Sequence, residues 1–353
     1  MVSFMFLKTD DDSKAQSCVA LDGTGGDNKD TRHVVDAVRF ALAMYPSLYL
    51  IVFGSSELEE RLKLAIKETN RYEFRLAAQC ITQDEPPRSV LLNYKNSAMY
   101  KAMECVKSGE AGAMISGGGT GPLVTIARHL LGVQKLNDKA ISLKERLGYE
   151  GRGGKVRPCF AARIPVGKGR FALMMDLGAN ATCSPEDLYD FANLGKACAS
   201  ISLEISSPRV AILNIGTELG KGSPLVQDAK SILEQDRSIN FTGFIEANRI
   251  FRNDADVIIT DGFTGNVALK AAEGVADLYS SSGGFKRFFI KMSRPDWLLP
   301  WQYNGSVLLG VNAPVIKSHG SAGKEALAVA VVEAARAAQK NLSTSMAEAL
   351  AKG

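Results

Sequence analysis

The chain has 353 residues, 46% of them hydrophobic, with a formal net charge of +4 and 23% charged residues. It can bury a full core in one large or two smaller domains, and its mild basicity, without a concentrated basic face, argues against a nucleic-acid binder. Six scattered cysteines (Cys18, Cys80, Cys105, Cys159, Cys183, Cys198) form no CxxC pair, the opening "MVSFMFLKTDDDSKAQS" turns acidic before any signal-peptide core, and no apolar run approaches the roughly 20 residues that cross a bilayer. The expectation is a reduced, soluble, cytosolic protein, at most peripheral to a membrane.

Residues 1–17 read as a tail. The first element is "SCVALDGTGGD", a short apolar strand running into a glycine-rich turn. Helix "KDTRHVVDAVRFALAMYP" follows, with Val34, Val38 and Leu42 on one face and Pro46 beyond its end. Strand "LYLIVFG", serine-capped helix "SSELEERLKLAIKETN" and strand "FRLAAQCI" come next. Helix "SAMYKAMECVKSGE" leads to strand "AGAMIS", the turn "GGGTGPL" and helix "VTIARHLLGV". Residues 137–157, "NDKAISLKERLGYEGRGGKVR", are polar, basic and glycine-punctuated, which predicts an exposed loop or insertion.

The alternation then resumes with strand "FALMMDLGAN", helix "PEDLYDFANLGKACASI", strand "RVAILNIG", helix "PLVQDAKSILEQ" and strands "INFTGFI" and "DVIITDG". The stretch "IITDGFTGNVALKAAEGVA" reads as strand, turn and helix. Its glycines either only permit positive φ in a tight connection or open a ligand site at a strand's carboxyl end. An alanine-rich helix from Lys324 closes the chain, packed on the body or on a second subunit. Strands alternating with helices predict a mostly parallel sheet covered on both faces.

Polar glycine-rich turns recur after the strands: "DGTGGD", "SGGGTG", "DLGAN", "NIGTELGKG" and "DGFTGN". A doubly wound sheet would gather them along one edge, where backbone N–H groups at helix N-termini cradle an anion. None has the P-loop spacing, and none gives GxGxxG followed by a ribose-binding acid.

Taken in order, "VALDGTGGD", "ISGGGTGPL", "DLGANATCSPE", "NIGTELGKG", "DGFTGN" and "LLGVNAPVIKSHGSA" resemble the successive signatures of the PlsX family, the phosphate acyltransferases of bacterial phospholipid synthesis. The resemblance runs from about Cys18 to Ala338. It implies a Rossmann-like three-layer α/β/α fold over residues 18–353 as a single domain, with a protruding helical segment. It further implies transfer of a fatty acyl group from acyl carrier protein (ACP) to inorganic phosphate, giving acyl phosphate and holo-ACP. The implied enzyme is a homodimer at the cytoplasmic membrane surface that needs no metal or organic cofactor and hands its product to a membrane glycerol-phosphate acyltransferase. Two other readings stay open: a soluble phosphotransacylase using acyl-CoA, and a catalytically reduced homologue serving as an ACP- or membrane-binding scaffold.

Phosphate is already an anionic nucleophile and a thioester is already activated, so the protein must position them and donate to the developing oxyanion. Lys221 either supplies that charge or is a solvated loop lysine. Asn266 and Asn180 either donate their amides to phosphate and oxyanion or cap helices. His319 either protonates the leaving thiolate or is structural, whereas His33 and His129 read as structural. Asp22 and Asp27, flanking the first glycine turn, are expected to orient a lysine or anchor loop backbone. Thr120 offers a hydroxyl or a cap. Gly25, Gly26, Gly119, Gly121, Asn214 and Gly265 complete the expected phosphate and thioester site.

The chain departs from the family pattern at Gly119 and Pro122 ("GGTGP" for "GNTGA"), at Thr182 and Ser184, and at Thr217. The basic 137–157 stretch either steers acidic ACP or is merely solvated. Finally, in an amphipathic segment of about 272–303, Phe285, Phe288, Phe289 and Met292 form a helical stripe, and Trp297, Leu298, Leu299 and Trp301 form an apolar tip. That segment reads as membrane-facing against anionic lipid, or as a core or dimer helix.

Overall fold

The computed structural model describes residues 16–26, 30–67, 70–77, 79–149, 153–167, 169–218, 220–281 and 304–352. Its centre is an eleven-stranded sheet. In chain order the strands are β1 (Ser17–Asp22), β2 (Leu48–Gly54), β3 (Tyr72–Leu76), β4 (Ala113–Ser116), β5 (Cys159–Pro165), β6 (Phe171–Met175), β7 (Arg209–Asn214), β8 (Asn240–Glu246), β9 (Val257–Ile259), β10 (Ser306–Leu309) and β11 (Val315–Lys317). Across the sheet they run β3-β2-β1-β4-β11-β10-β5-β6-β9-β7-β8.

Alternate residues of each strand feed two cores, one per face. Val19 and Leu21 enter the first and Ala20 the second. The first core is closed by α1 (Arg32–Met44), α2 (Ser56–Ala65), α6 (Asp138–Arg146), α7 (Pro185–Ser202), α8 (Pro224–Leu233), α10 (Lys324–Gln339) and α11 (Leu342–Lys352). The second is closed by α3 (Pro87–Asn93), α4 (Ala98–Lys107) and α5 (Thr120–Leu130), with Ala268 and Leu269 of α9 (Gly262–Ser281) packed against it. These are the three expected layers. The alanine-rich α10 packs on the body, where Gly112 lets it come so close that an added Cβ would lie 2.8 Å from Ala338 Cβ.

The sheet is mostly parallel but reverses at its middle. β11 runs with β4, β10 runs against β11 and against β5, and β5 runs against β6. Beyond that seam β6, β9, β7 and β8 are mutually parallel. The expectation that all glycine turns share one edge is therefore corrected. The turns after β1, β4 and β11 leave one edge, and those after β6, β7 and β9 leave the other. Adjacent strands rotate by about 20–25°, so the five steps from β4 to β9 add up to about 100–125°. A rotation of that size would turn the two carboxyl edges partly toward a common side.

The 137–157 stretch is not an exposed loop over its described residues. Asn137 caps α6, accepting from the Ala140 N–H at 2.9 Å, and Leu136, Ala140, Leu143 and Val156 are buried. Lys144 is buried with them, its Nζ 2.5 Å from Glu186 Oε1 and 2.9 Å from Asp190 Oδ1. A lysine so paired cannot steer a distant partner. Among the described residues no helix is long and apolar enough to cross a membrane.

Candidate functional site

At the first edge, Asp22 ends β1 with its carboxylate out of solvent. Oδ1 accepts from the Thr24 N–H (3.0 Å) and hydroxyl (2.9 Å), and Oδ2 accepts from Ser116 Oγ at 2.6 Å. Ser116 Oγ in turn accepts from the Gly118 N–H at 2.9 Å. Burial raises the Asp22 pKa, and the Ser116 and Thr24 donors oppose that rise. The acid is thus a tether between two glycine turns. Those turns touch so closely that a Cβ on Gly25 would lie 2.6 Å from the Gly118 nitrogen. Gly26, at φ +118°, lies against the Gly320 carbonyl of the third turn.

An anion cradle of the kind expected from the sequence needs open N–H groups at a helix N-terminus, and the start of α5 has such groups. Among the described residues, the Gly119, Thr120 and Gly121 N–H groups find no acceptor, and Pro122 in the first turn has no N–H to place. Gly119 itself is tightly enclosed, since a Cβ there would lie 2.9 Å from Gln83 Cα and 3.2 Å from Pro122 Cδ. The two departures at 119 and 122 are thereby one packing arrangement. Cys80, exposed, donates to the Thr24 carbonyl at 3.5 Å.

The second edge is built around the turn after β6. Asp176 accepts from the Phe160, Ala179 and Asn180 N–H groups at 2.8, 3.1 and 2.7 Å, and burial raises its pKa against them. Asn180 is buried with its amide committed. Nδ2 donates to the Pro158 carbonyl and to Asp176 Oδ2, both at 2.9 Å, and Oδ1 accepts from Arg157 Nε at 2.5 Å. It shapes the site and caps no helix.

The glycines of "DGFTGN" answer to crowding and not to positive φ. The whole stretch after Asp261 is the first turn of α9, and its glycines let the helix press onto the β6 turn. A Cβ on Gly262 would lie 2.5 Å from the Asn180 carbonyl oxygen, and one on Gly265 would lie 2.0 Å from the Asp176 carbonyl oxygen. Asp261 caps the helix, accepting from the Thr264 N–H at 2.8 Å and hydroxyl at 2.7 Å. Asn266 therefore does not cap α9. It stands one turn inside the helix, exposed, beside Gly178, whose φ is +104°.

Asn214 ends β7 and is nearly buried. Its Nδ2 donates to the Gly216 and Lys221 carbonyls at 3.0 and 2.9 Å, which folds the loop that presents Lys221 to solvent. β7 neighbours β9, so this loop and the start of α9 share an edge.

The two edges are joined through α9. His319, after β11, holds its backbone by donating to Asn304 Oδ1 at 3.1 Å, and its Nδ1 lies 3.3 Å from Ser321 Oγ. Its Nε2 is 4.0 Å from Glu273 Oε2, two turns along α9 from Asn266, and Lys270 Nζ pairs with the same carboxylate at 2.8 Å. His33 contacts the Asp30 carbonyl, and His129 lies in the last turn of α5.

Asp27 and the apolar residues Phe285, Phe288, Phe289, Trp297, Leu298 and Trp301 lie outside the described residues. Arg157 is the residue that reading the turns alone misses. It precedes β5, which runs against β6, so it reaches the second edge from the amino end of a strand. The only sequence sign of it was the basic "GGKVRP". Desolvation pushes the half-buried Cys183 thiol up to about 12 and the buried Cys105 and Cys198 thiols to about 11, which leaves them little reactive thiolate. The arrangement offers backbone N–H groups, amides and cations to an anion and a polarised carbonyl, which suits acyl transfer to an oxyanion nucleophile.

Comparison with known proteins agrees. The family described as "Fatty acid synthesis protein" matches residues 18–144, 149–281 and 294–345. The chain is 37% identical over 346 residues to a phosphate acyltransferase of Coxiella burnetii, covering 92% of this chain and 94% of that one. It is 37% identical over 344 residues to a phosphate acyltransferase of Aeromonas salmonicida, covering 94% and 96%. Among solved structures, a phosphotransacetylase from Streptococcus pyogenes superposes with a TM-score of 0.58 at 17% identity, covering 91% of this chain and 94% of that one. That last likeness shows the shared fold.

Proposed function

The chain belongs to the fatty acid synthesis protein family, the PlsX family that its turns resemble, and on that premise we propose how its two edges share one reaction. It is an acyltransferase that moves an acyl group to phosphate in phospholipid synthesis. We assign fatty acyl-ACP as the donor, with acyl phosphate and holo-ACP as products. The observation that carries this reading is that all six turns of both edges fall inside the matched residues.

In the proposed reaction a phosphate oxygen attacks the thioester carbonyl carbon. The new C–O bond forms, the C–S bond breaks, and the thiolate leaves and takes a proton. Asn266 and Lys221, both exposed at the second edge, would steady the oxyanion. His319, reaching α9 through Glu273, would supply the proton. Asp22, Asn180 and Asn214 act through the backbone they hold. Two anionic groups take part, the nucleophile and the phosphodiester of the carrier's pantetheine arm. The open N–H groups of Gly119, Thr120 and Gly121 support one anion site and the Asn266 corner supports the other.

A homodimer and a peripheral place on anionic membrane extend the proposal, with a membrane glycerol-phosphate acyltransferase taking the product. The outer face of α9 supports the dimer, since Phe263, Val267, Val275 and Leu278 are all more than half exposed there, and burying each would contribute about 1.5–3 kcal/mol. The membrane contact rests on the sequence of 285–301, and co-sedimentation with anionic vesicles tests it. The deciding experiment measures holo-ACP release from long-chain acyl-ACP, with and without inorganic phosphate, beside the matching acyl-CoA. Phosphate-dependent release with acyl phosphate formed is expected. Release from acyl-CoA alone would move the donor assignment, and no release from a folded protein would leave a binding scaffold.

A further inference from the structure

Arg157 is held at both ends of its reach and yet left unneutralised. Its backbone N–H donates to Asp190 Oδ2 at 2.9 Å, and Asp190, fully buried, already has Lys144 Nζ 2.9 Å from its other oxygen. Its side chain is fixed at Nε by the neutral Asn180 amide, which is itself fixed to Pro158 and Asp176. No carboxylate among the described residues pairs with the guanidinium. The structural arginines behave otherwise. Arg209 grips Asp256 with two nitrogens at 3.0 and 2.9 Å, Arg163 meets Glu333, and Arg75 spans Glu73 and Glu110.

What remains on Arg157 is the pair of terminal nitrogens, a planar fork whose spacing matches two oxygens of a phosphate. Arg157 as a residue is half-buried, where a charge is screened less than at the surface. Its Nε donates to the Asn180 side chain, and Asn180 lies against the corner where the reaction is placed. The Asn180 carbonyl accepts from Gly262 at the start of α9 at 2.9 Å, and Gly178, two residues before Asn180, lies against the Asn266 amide.

We propose that Arg157 is a substrate-binding residue that grips the nucleophilic inorganic phosphate, holding it beside Asn266 while the cradle at the start of α5 is left to the donor's phosphodiester. The proposal rests on the acyltransferase reading and names a residue that reading leaves unassigned. Arg157 carries charge only. The proton for the leaving thiolate comes from elsewhere, and the bonds made and broken are those given above.

The test uses the full chain with Arg157→Gln, which removes the charge, and Arg157→Lys, which keeps the charge but loses the fork. Two quantities are read: steady-state KM for phosphate and for acyl donor, and the shift in thermal unfolding caused by inorganic phosphate alone. Loss of a bidentate charged contact predicts a rise of about 10-fold or more in KM for phosphate in both variants, larger for Gln, with donor KM within about 2–3-fold. Phosphate should protect the wild type against unfolding and leave Arg157→Gln unprotected, while the two melt alike without phosphate. If Arg157→Gln fails to fold, Arg157→Lys decides by the same KM comparison. A rise in donor KM with phosphate KM unchanged would give the fork to the carrier's phosphodiester and overturn the proposal, as would no change in either. A wild type without phosphate-dependent turnover would remove the acyltransferase reading. The unfolding shift would still decide whether Arg157 holds phosphate.

Discussion

Gly265→Ala sets two physical effects of opposite sign against each other. Gly265 lies inside helix α9, where alanine is preferred over glycine by up to about 1 kcal/mol. On propensity alone the variant should be more stable. The structure predicts the reverse, because the new carbon would sit 2.0 Å from the Asp176 carbonyl oxygen and 2.7 Å from Thr260 Cγ2. Relief of that contact to 3.0 Å requires either α9 or the β6 turn to move by at least about 1 Å. Overpacking of this kind costs about 1–3 kcal/mol, and with a propensity gain of about 1 kcal/mol offset the expected net loss is about 0–2 kcal/mol.

The same movement displaces Asn266, the next residue, relative to Asn180 and Arg157, and a misplacement near 1 Å costs on the order of 100-fold in rate. Gly274→Ala is the control. It lies on the same helix with nothing among the described residues within 4 Å of the added carbon, so it should gain about 0.5–1 kcal/mol with turnover unchanged. Urea unfolding at fixed protein concentration and phosphate-dependent thiol release read both quantities. If Gly265→Ala proves as stable and active as Gly274→Ala, the close approach of α9 to the β6 turn is not what the glycines serve.

Three further predictions follow from the same geometry. Lys221→Ala should lower kcat/KM by about 100-fold and, because the side chain is exposed, change stability by no more than about 0.5 kcal/mol; near-normal kinetics would remove it from the mechanism. Gly119→Asn, which restores the family's residue, should destabilise by about 1–3 kcal/mol without raising turnover, since Gln83 and Pro122 occupy the space; a more active variant of unchanged stability would contradict this packing. Asp22 is held above its ordinary 3.8 by burial, so the folded state binds that proton more tightly than the unfolded chain. Its contribution is complete below the unfolded value and is lost as pH rises through the raised folded one. The stability of the wild type relative to Asp22→Asn should therefore fall as pH rises from about 4 toward neutrality, and a difference that stays flat or rises would contradict the burial of a charged Asp22.

The order of elements and the identity of the turns were legible because both are local. Alternating apolar runs fix strand and helix over a few residues, and polar glycine turns mark strand ends. β5, β10 and β11 escape a reading based on alternation because no helix separates β5 from β6 or β10 from β11; each of those pairs is an antiparallel hairpin, although β11 also runs parallel to β4. That omission carried the larger error. Strand direction is decided by pairing with residues far away in sequence, and the reversal across β10 and β5 divides six turns between two edges.

The same reversal brings Arg157 to the site from the amino end of β5, where a search of strand carboxyl ends does not look. Burial is equally non-local. "NDKAISLKERLG" has the composition of an exposed loop, yet Asp190 and Glu186 on α7 draw Lys144 into the interior. The glycines of "DGFTGN" read either as permitting positive φ or as opening a ligand site, and the structure instead shows them admitting a close neighbour. What comes close is the Asp176–Asn180 turn. The sequence by itself determined most of the elements, the turns and the family they mark. Only tertiary pairing decided which turns meet, since a strand's direction and a charge's partner depend on contacts that no local pattern contains.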